Sequence, residues 1–401
     1  MNIVTDEIST SMAAGSWIRK MFEKGRELKN TFGEDAVCDF SLGNPDVPPP
    51  FAAKAALEEI ASNAVKPLGL GYCPNAGIPY VREAMAAYLS RQQQTSVDAS
   101  HVIMSVGAAG AMVSFFRAVI EKDDEVLVSA PYFVEYGFYC GHFGGKLRAI
   151  PALTPDFTPD VEALAKAINP KTRVLLINSP NNPTGCIYSE EVLKKIAALV
   201  DAENERRERE GGRPLFLLSD EPYRIFAFDG CTVPPILPLT KWSCVLGSFS
   251  KSISLAGERV GYFLVNPAMP GAETLISALI LTTRTLGSVN APVIGQRLAA
   301  ALLDETVDLS VYDSRRRLMA KVLSSAGIEF PMPKGAFYFF AKSPVEDEMK
   351  FVDALLEEKI LVVTGKGFGF PGYIRLSCSV DEKIIARAEN GFKRAVERVL
   401  A

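Results

Sequence analysis

The middle of the chain alternates between short unbroken apolar runs and longer stretches in which apolar residues recur every three or four positions. The runs are Glu125–Ser129, Arg173–Asn178, Leu215–Asp220, Cys244–Ser248 and Val260–Val265. Their length and lack of polar alternation predict strands buried on both faces. Between two of them, Ser189–Glu203 carries the helical spacing, with Ser189 placed to cap the first turn and Glu190 and Glu191 favouring the helix start. Strands separated by helices predict an α/β fold whose mainly parallel sheet is covered by helices.

The pattern changes towards the end. Ile328–Phe340 and Ile360–Ser379 predict longer, more mixed strands around a helical Glu346–Lys359, followed by a final helix from about Asp381 to Leu400. This is an α+β arrangement and predicts a second, smaller domain. The mixed-sign run Asp201–Glu210 predicts a solvated helix end leading into Gly211-Gly212.

Composition narrows the function classes. A chain of 401 residues with 48% hydrophobic residues can bury a full core, which excludes a disordered or collagen-like protein. Forty-three Lys and Arg against forty-seven Asp and Glu give a net charge of −4, without the basic footprint of a nucleic-acid binder. No apolar run approaches the roughly 18 residues of a membrane span. The opening MNIVTDEIST is acidic and polar and shows no signal peptide. Cys38, Cys73, Cys140, Cys186, Cys231, Cys244 and Cys378 are widely spaced, which predicts reduced thiols in a cytoplasmic protein. His101 and His142 have no ligand partners at motif spacing, so neither a metal site nor histidine-centred catalysis is expected.

The chemistry lies where the predicted strands end. Ser129-Ala-Pro131, Asn178 to Gly185, Ser219-Asp220 and Gly247-Ser-Phe-Ser-Lys251 all close apolar runs with polar or turn-forming residues. Open α/β sheets bind ligands beyond the carboxyl ends of their strands. A carboxylate at the mouth of LFLLSD is costly unless a cation meets it, and Arg375 inside Tyr373-Ile-Arg-Leu-Ser calls equally for an anion. Val106-Gly107-Ala108-Ala109-Gly110 opens a helical pattern whose first N–H groups could receive an anion.

In order and spacing these segments resemble the class I/II aminotransferases, the aspartate aminotransferase family of pyridoxal phosphate (PLP) enzymes of fold type I. The resemblance runs from Ser41-Leu-Gly43-Asn-Pro45 to Ile374-Arg375-Leu-Ser. Its most specific motifs are Asn182-Pro-Thr-Gly185, Asp220-Glu-Pro-Tyr223, and Ser248-Phe-Ser-Lys251 followed by Glu258-Arg259-Val-Gly261. It implies a seven-stranded, mainly parallel sheet in a large PLP-binding domain over 46–295 and a small domain over 296–401. Residues 1–45 would form an N-terminal arm and part of the small domain.

The resemblance also implies a site. Lys251 would form the Schiff base with the cofactor aldehyde and move protons, and Asp220 would pair with the pyridinium nitrogen. Tyr223 and Asn182 would approach the phenolate oxygen, and Phe133 would stack on the ring. Ala108 and Ala109 at the helix start, with Ser248 and Arg259, would hold the phosphate. Tyr72 would reach that phosphate from a neighbouring subunit, which makes the active unit a homodimer. Arg375, with Gly43 and Asn182, would bind the substrate α-carboxylate.

The implied activity is a ping-pong transfer of the amino group of an L-amino acid to a 2-oxo acid, with aspartate or glutamate as donor and 2-oxoglutarate as acceptor. A distal carboxylate would need its own cation. Where some subfamilies carry a lysine this chain has Ala109, and Arg284 reads either as the cation reaching across from the neighbouring subunit or as a surface helix arginine. The same scaffold hosts carbon–sulfur β-lyases, and non-catalytic PLP-binding regulators fused to a DNA-binding module; a match starting within the first fifty residues leaves no room for that module here.

Overall fold

Seven strands form the central sheet of the computed structural model, which describes residues 3–14 and 16–401. In chain order the strands of the protein are β1 (Cys38–Asp39), β2 (Val102–Val106), β3 (Glu125–Ala130), β4 (Lys146–Pro151), β5 (Thr172–Asn178), β6 (Phe216–Asp220), β7 (Ser243–Ser248), β8 (Val260–Val265), β9 (Tyr338–Lys342), β10 (Ile360–Leu361), β11 (Val363–Thr364) and β12 (Tyr373–Ser377). The central sheet has the order β2-β8-β7-β6-β5-β3-β4. All neighbours are parallel except β8, which runs antiparallel to both β2 and β7. Every position of β5, β6 and β8 is buried, as expected of strands covered on both faces. One core lies on each face: Leu175, Leu217 and Val245 pack with Val81, Leu89 and Ile196 on one, and Val174, Leu218 and Leu246 with Phe115, Phe116 and Leu279 on the other.

The five expected strands therefore form, and two more join them. β4 is an edge strand whose positions are half-buried or exposed, so it lacks the apolar run that marks the others. Near the end of the chain the strands are shorter than expected. Pro331, Pro333 and Gly335 precede β9 and confine it to five residues, and the Gly365–Phe368 turn separates β11 from β12. β9, β11 and β12 form an antiparallel sheet, and β1 pairs in parallel with β10, Cys38 opposite Ile360 and Asp39 opposite Leu361. A third apolar cluster joins Phe40 to Phe339, Phe351, Leu376 and Phe392.

The charge run at 201–210 is the expected helix end leading into Gly211, mostly exposed or half-buried, with two buried exceptions. The helix Glu190–Glu210 continues through it to Gly211, and Asn204 and Arg207 are buried. Asn204 Nδ2 donates to the Leu215 carbonyl and its Oδ1 accepts from Leu215 N–H, while Arg207 donates to Glu203 and to the carbonyls of Arg213 and Asn169. The run thus ties this helix to the segment entering β6. The final helix divides at Ala388 into Glu382–Arg387 and Glu389–Leu400.

Candidate active site

The sheet topology gathers one edge. The carboxyl ends of β2, β3, β5, β6 and β7 point the same way, and β8 begins there because it runs against β7. Along this edge a cavity of about 200 Å³ is lined by Ala108 and Ala109 after β2, Phe133 after β3, Asn182 after β5, Asp220 and Tyr223 at and beyond β6, Ser248 and Lys251 at and beyond β7, and Arg259 before β8. Nine of the residues singled out in the sequence are thereby brought together.

Each is positioned by its strand. In-register pairing sets Asn178 opposite Asp220, and Asn178 Nδ2 donates to the Asp220 carbonyl at 2.8 Å while its Oδ1 accepts the Asn182 N–H at 2.8 Å. Beyond Ser248 the chain makes one helical turn, Phe249–Ser252, which swings Lys251 back over the sheet end. Arg259 sits in the left-handed region at φ 50°. Its guanidinium lies against the first turn of the helix Gly107–Val119, where a Cβ on Gly107 would come within 2.7 Å of Arg259 Nη2.

Burial and charge then set the proton affinities. Burial, with the cationic Arg375 and Arg259 nearby, lowers Lys251 to about 8. The ammonium donates to the Gly43 carbonyl and lies 5.7 Å from the centre of the Phe337 ring. Burial, with the neighbouring Glu221, raises Asp220 to about 7, against the hydrogen bond from Tyr136. That bond, Tyr136 Oη to Asp220 Oδ2 at 2.5 Å, satisfies one carboxylate oxygen, and the other, Oδ1, is buried without a partner. Burial pushes the Tyr223 phenol well up, and its hydroxyl lies 3.0 Å from that of Tyr338.

Arg375 reaches the same region from β12. Its guanidinium donates to Asn182 Oδ1 at 3.2 Å and to the Ser41 carbonyl at 2.5 Å, and lies near the rings of Tyr338 and Phe368. Its Nε is buried and unpaired. Gly43 is next to it in the chain-entry segment, and the structure supplies its own reason for glycine there, since a Cβ would overlap the Tyr338 hydroxyl. Gly43→Ala is expected to lower stability by about 1–3 kcal/mol, the usual cost of overpacking a filled site, read as a lower denaturation midpoint.

Two of the singled-out residues lie elsewhere. Tyr72 is 88% exposed, and Arg284, in the last turn of the helix Ala272–Thr285, is also exposed. Tyr72 borders a groove with Glu258, the neighbour of Arg259, and with Gly287 and Asn290. Sequence reasoning missed Tyr136 and Tyr139, which line the cavity, and Tyr338 beside it, and gave no role to Asn178 and Ser250, which lie within the strand-end segments it picked out. Tyr136 follows Phe133 by three residues, the one spacing that could have pointed to it. Among the described residues no group of His, Cys, Asp and Glu is placed to hold a metal ion, and no helix is long and apolar enough to cross a membrane.

Known proteins share this fold. The sequence matches the family described as aminotransferase class I and II over residues 35–390. It is 31% identical over 382 residues to the aspartate/prephenate aminotransferase of Thermus thermophilus, covering 94% of each chain. Among solved structures, an amino transferase from Eubacterium rectale superposes with a TM-score of 0.93 at 34% identity, covering 99% of both chains. The aspartate aminotransferase of Thermus thermophilus with maleate gives a TM-score of 0.84 at 28% identity, covering 94% of this chain and 96% of that one. Carried by the whole length of the fold and by the sequence match, the assignment is direct: this chain belongs to the class I and II aminotransferases, the PLP-dependent enzymes that exchange amino groups between amino acids and 2-oxo acids.

Proposed function

We infer that the cavity at the sheet edge is the transamination site and that its residues divide the work as follows. Lys251 would hold the cofactor through its aldehyde and, once freed, move the substrate Cα proton. Asp220 would meet the ring nitrogen, Tyr223 and Asn182 the ring oxygen, and Phe133 the ring face. Ser248, Arg259 and the N–H groups at Ala108 and Ala109 receive the phosphate. Arg375 takes the substrate carboxylate in a two-pronged contact that a lysine could not reproduce.

One observation carries this reading. A buried carboxylate oxygen with no partner and an amine of depressed proton affinity share a single cavity. A bare carboxylate there is costly, and a pyridinium N–H supplies the cation it lacks. A lysine near 8 keeps a useful fraction of neutral amine at physiological pH, as a nucleophile and a general base require. When bound, PLP supplies the electron sink for the pair left at the substrate Cα. Arg259 sits where a phosphate would be met by the free N–H groups of the helix Gly107–Val119.

For substrate and assembly, we infer an aspartate or glutamate donor, a 2-oxoglutarate acceptor and a homodimer. The names of the Thermus relatives support the donor. Lys251, Arg259 and Arg375 are all engaged by the roles above, so a distal carboxylate would take its cation from the second subunit, for which Arg284 is the candidate. Phe51, Val65, Leu68 and Tyr72 are exposed apolar side chains that a second copy would cover, with Tyr72 reaching across to the phosphate.

The test is a half-reaction screen. The PLP-loaded protein is mixed with single amino acids and the loss of its visible band is followed. Aspartate or glutamate should react fastest, and Arg284→Ala should slow aspartate about tenfold or more while leaving alanine unchanged, the loss of one exposed charge pair at a site shielded by the partner. Equal rates for aspartate and alanine in both proteins would overturn the dicarboxylate assignment.

A further inference from the structure

Tyr338 stands at the start of β9, 2% exposed, and touches three parts of the site at once. Its hydroxyl is 3.0 Å from that of Tyr223, with the rings edge to face at 5.6 Å. The Arg375 guanidinium carbon lies 4.8 Å from its ring centre. Its hydroxyl also fills the space left by the missing side chain of Gly43.

A tyrosine hydroxyl carries one proton. Between two hydroxyls in contact, one must donate and the other accept, and the direction decides where the second proton points. If Tyr338 donates, Tyr223 accepts and its own proton is free to point into the cavity. If Tyr223 donates, it presents only a lone pair there. The surroundings favour the first arrangement. Arg375 is a cation beside the Tyr338 phenol, which stabilises the anion and makes Tyr338 the stronger donor of the two. Arg375 acts on the Tyr223 phenol as well, but there the neighbouring Tyr338 hydroxyl and the Asp220 charge both work the other way and hold its proton more tightly. Accepting a hydrogen bond also polarises the Tyr223 O–H and strengthens what it donates.

We propose that Tyr338 is a positioning residue: its hydroxyl donates to Tyr223 and so directs the Tyr223 proton at the ring oxygen of the cofactor. This rests on the reading of Tyr223 given above. A hydrogen bond donated to that oxygen stabilises its anionic form and lowers the affinity of the neighbouring nitrogen for the proton the two share. Losing it raises the pH midpoint of the visible band of the loaded enzyme.

The experiment titrates that band in the PLP-loaded wild type, Tyr338→Phe, Tyr223→Phe and the double variant. The phenylalanines keep the rings and remove only the hydroxyls. Tyr338→Phe should raise the midpoint by about half to one pH unit, and Tyr223→Phe by more. In the Tyr223→Phe background, Tyr338→Phe should add nothing, because its effect passes through the missing hydroxyl. A purely structural Tyr338 would leave the midpoint where it is. An unmoved midpoint in Tyr338→Phe, or a shift of equal size with and without Tyr223, overturns the proposal while leaving the role of Tyr223 standing. An unmoved midpoint in Tyr223→Phe overturns both.

Discussion

Replacing Lys251 by alanine is expected to lower turnover by about 10⁵-fold or more, the scale on which loss of a covalent nucleophile is felt in other enzymes. Two functions go together. On the role proposed for Lys251, the variant lacks both the amine that would capture the cofactor aldehyde and the base that would move the substrate Cα proton. The variant should still bind PLP through the phosphate donors and Asp220, so dialysis and fluorescence would detect the cofactor while the visible band of the loaded wild type is missing. In the wild type, capture needs the neutral amine. With Lys251 lowered to about 8, the capture rate should climb as pH rises towards 8 and level off above it, measured by rapid mixing with PLP. Turnover retained by Lys251→Ala would remove this lysine from the chemistry.

Asp220→Asn is expected to move activity and stability in opposite directions. An amide cannot hold a proton on the ring nitrogen by charge, so kcat should fall about 10²–10³-fold, comparable to the loss of one preorganised electrostatic partner. The cofactor-free protein should gain. The Asp220 carboxyl is raised from 3.8 to about 7, so between those values the unfolded chain releases a proton that the folded chain retains. Stability is therefore lost as pH rises from about 4 to 7, and the deficit stays constant above that. Some three units at about 1.4 kcal/mol each set an upper bound of roughly 4 kcal/mol. Asparagine, which does not ionise, should recover part of this, read as a higher urea midpoint for cofactor-free Asp220→Asn than for cofactor-free wild type at pH 8, with the difference fading at pH 4. An equal or lower midpoint at pH 8 would show that the carboxylate is not strained by burial. The pattern is that of a site in which stability is sacrificed for a group that only its ligand completes.

The parts of the site legible in the sequence were those in which one residue breaks a local rule. Asp220 ends an apolar strand with a charge, Arg375 interrupts one, and Lys251 follows a buried strand through a serine turn. Tyr136 and Tyr338 break no such rule. A tyrosine among Phe, Val and Ala reads as core packing, and each ring is indeed buried. What distinguishes them is the partner of the hydroxyl, supplied 84 residues away for Tyr136 and 115 for Tyr338. Only the assembled sheet fixes those partners. The same holds for β4, whose identity depends on its place in the sheet order rather than on an apolar run, and for Arg207, a charged residue that is buried because its hydrogen bonds run to the carbonyls of Arg213 and of the more distant Asn169.

The pairing of β1 with β10 has a consequence for how the protein comes to be made. Cys38 and Asp39 have no strand partner until Ile360 and Leu361 have left the ribosome. At about 10 residues per second that wait is on the order of half a minute. The central sheet closes sooner, since its last strand ends at Val265. The early segment can meet Lys251 through the Gly43 carbonyl once the sheet has assembled, but Cys38–Phe40 and Ser41 still lack their partners Ile360, Leu361 and Arg375 at that stage. Nascent chains halted before residue 360 should leave this segment open to proteases or chaperones, and the catalytic cleft acquires its final wall only in the last stage of synthesis.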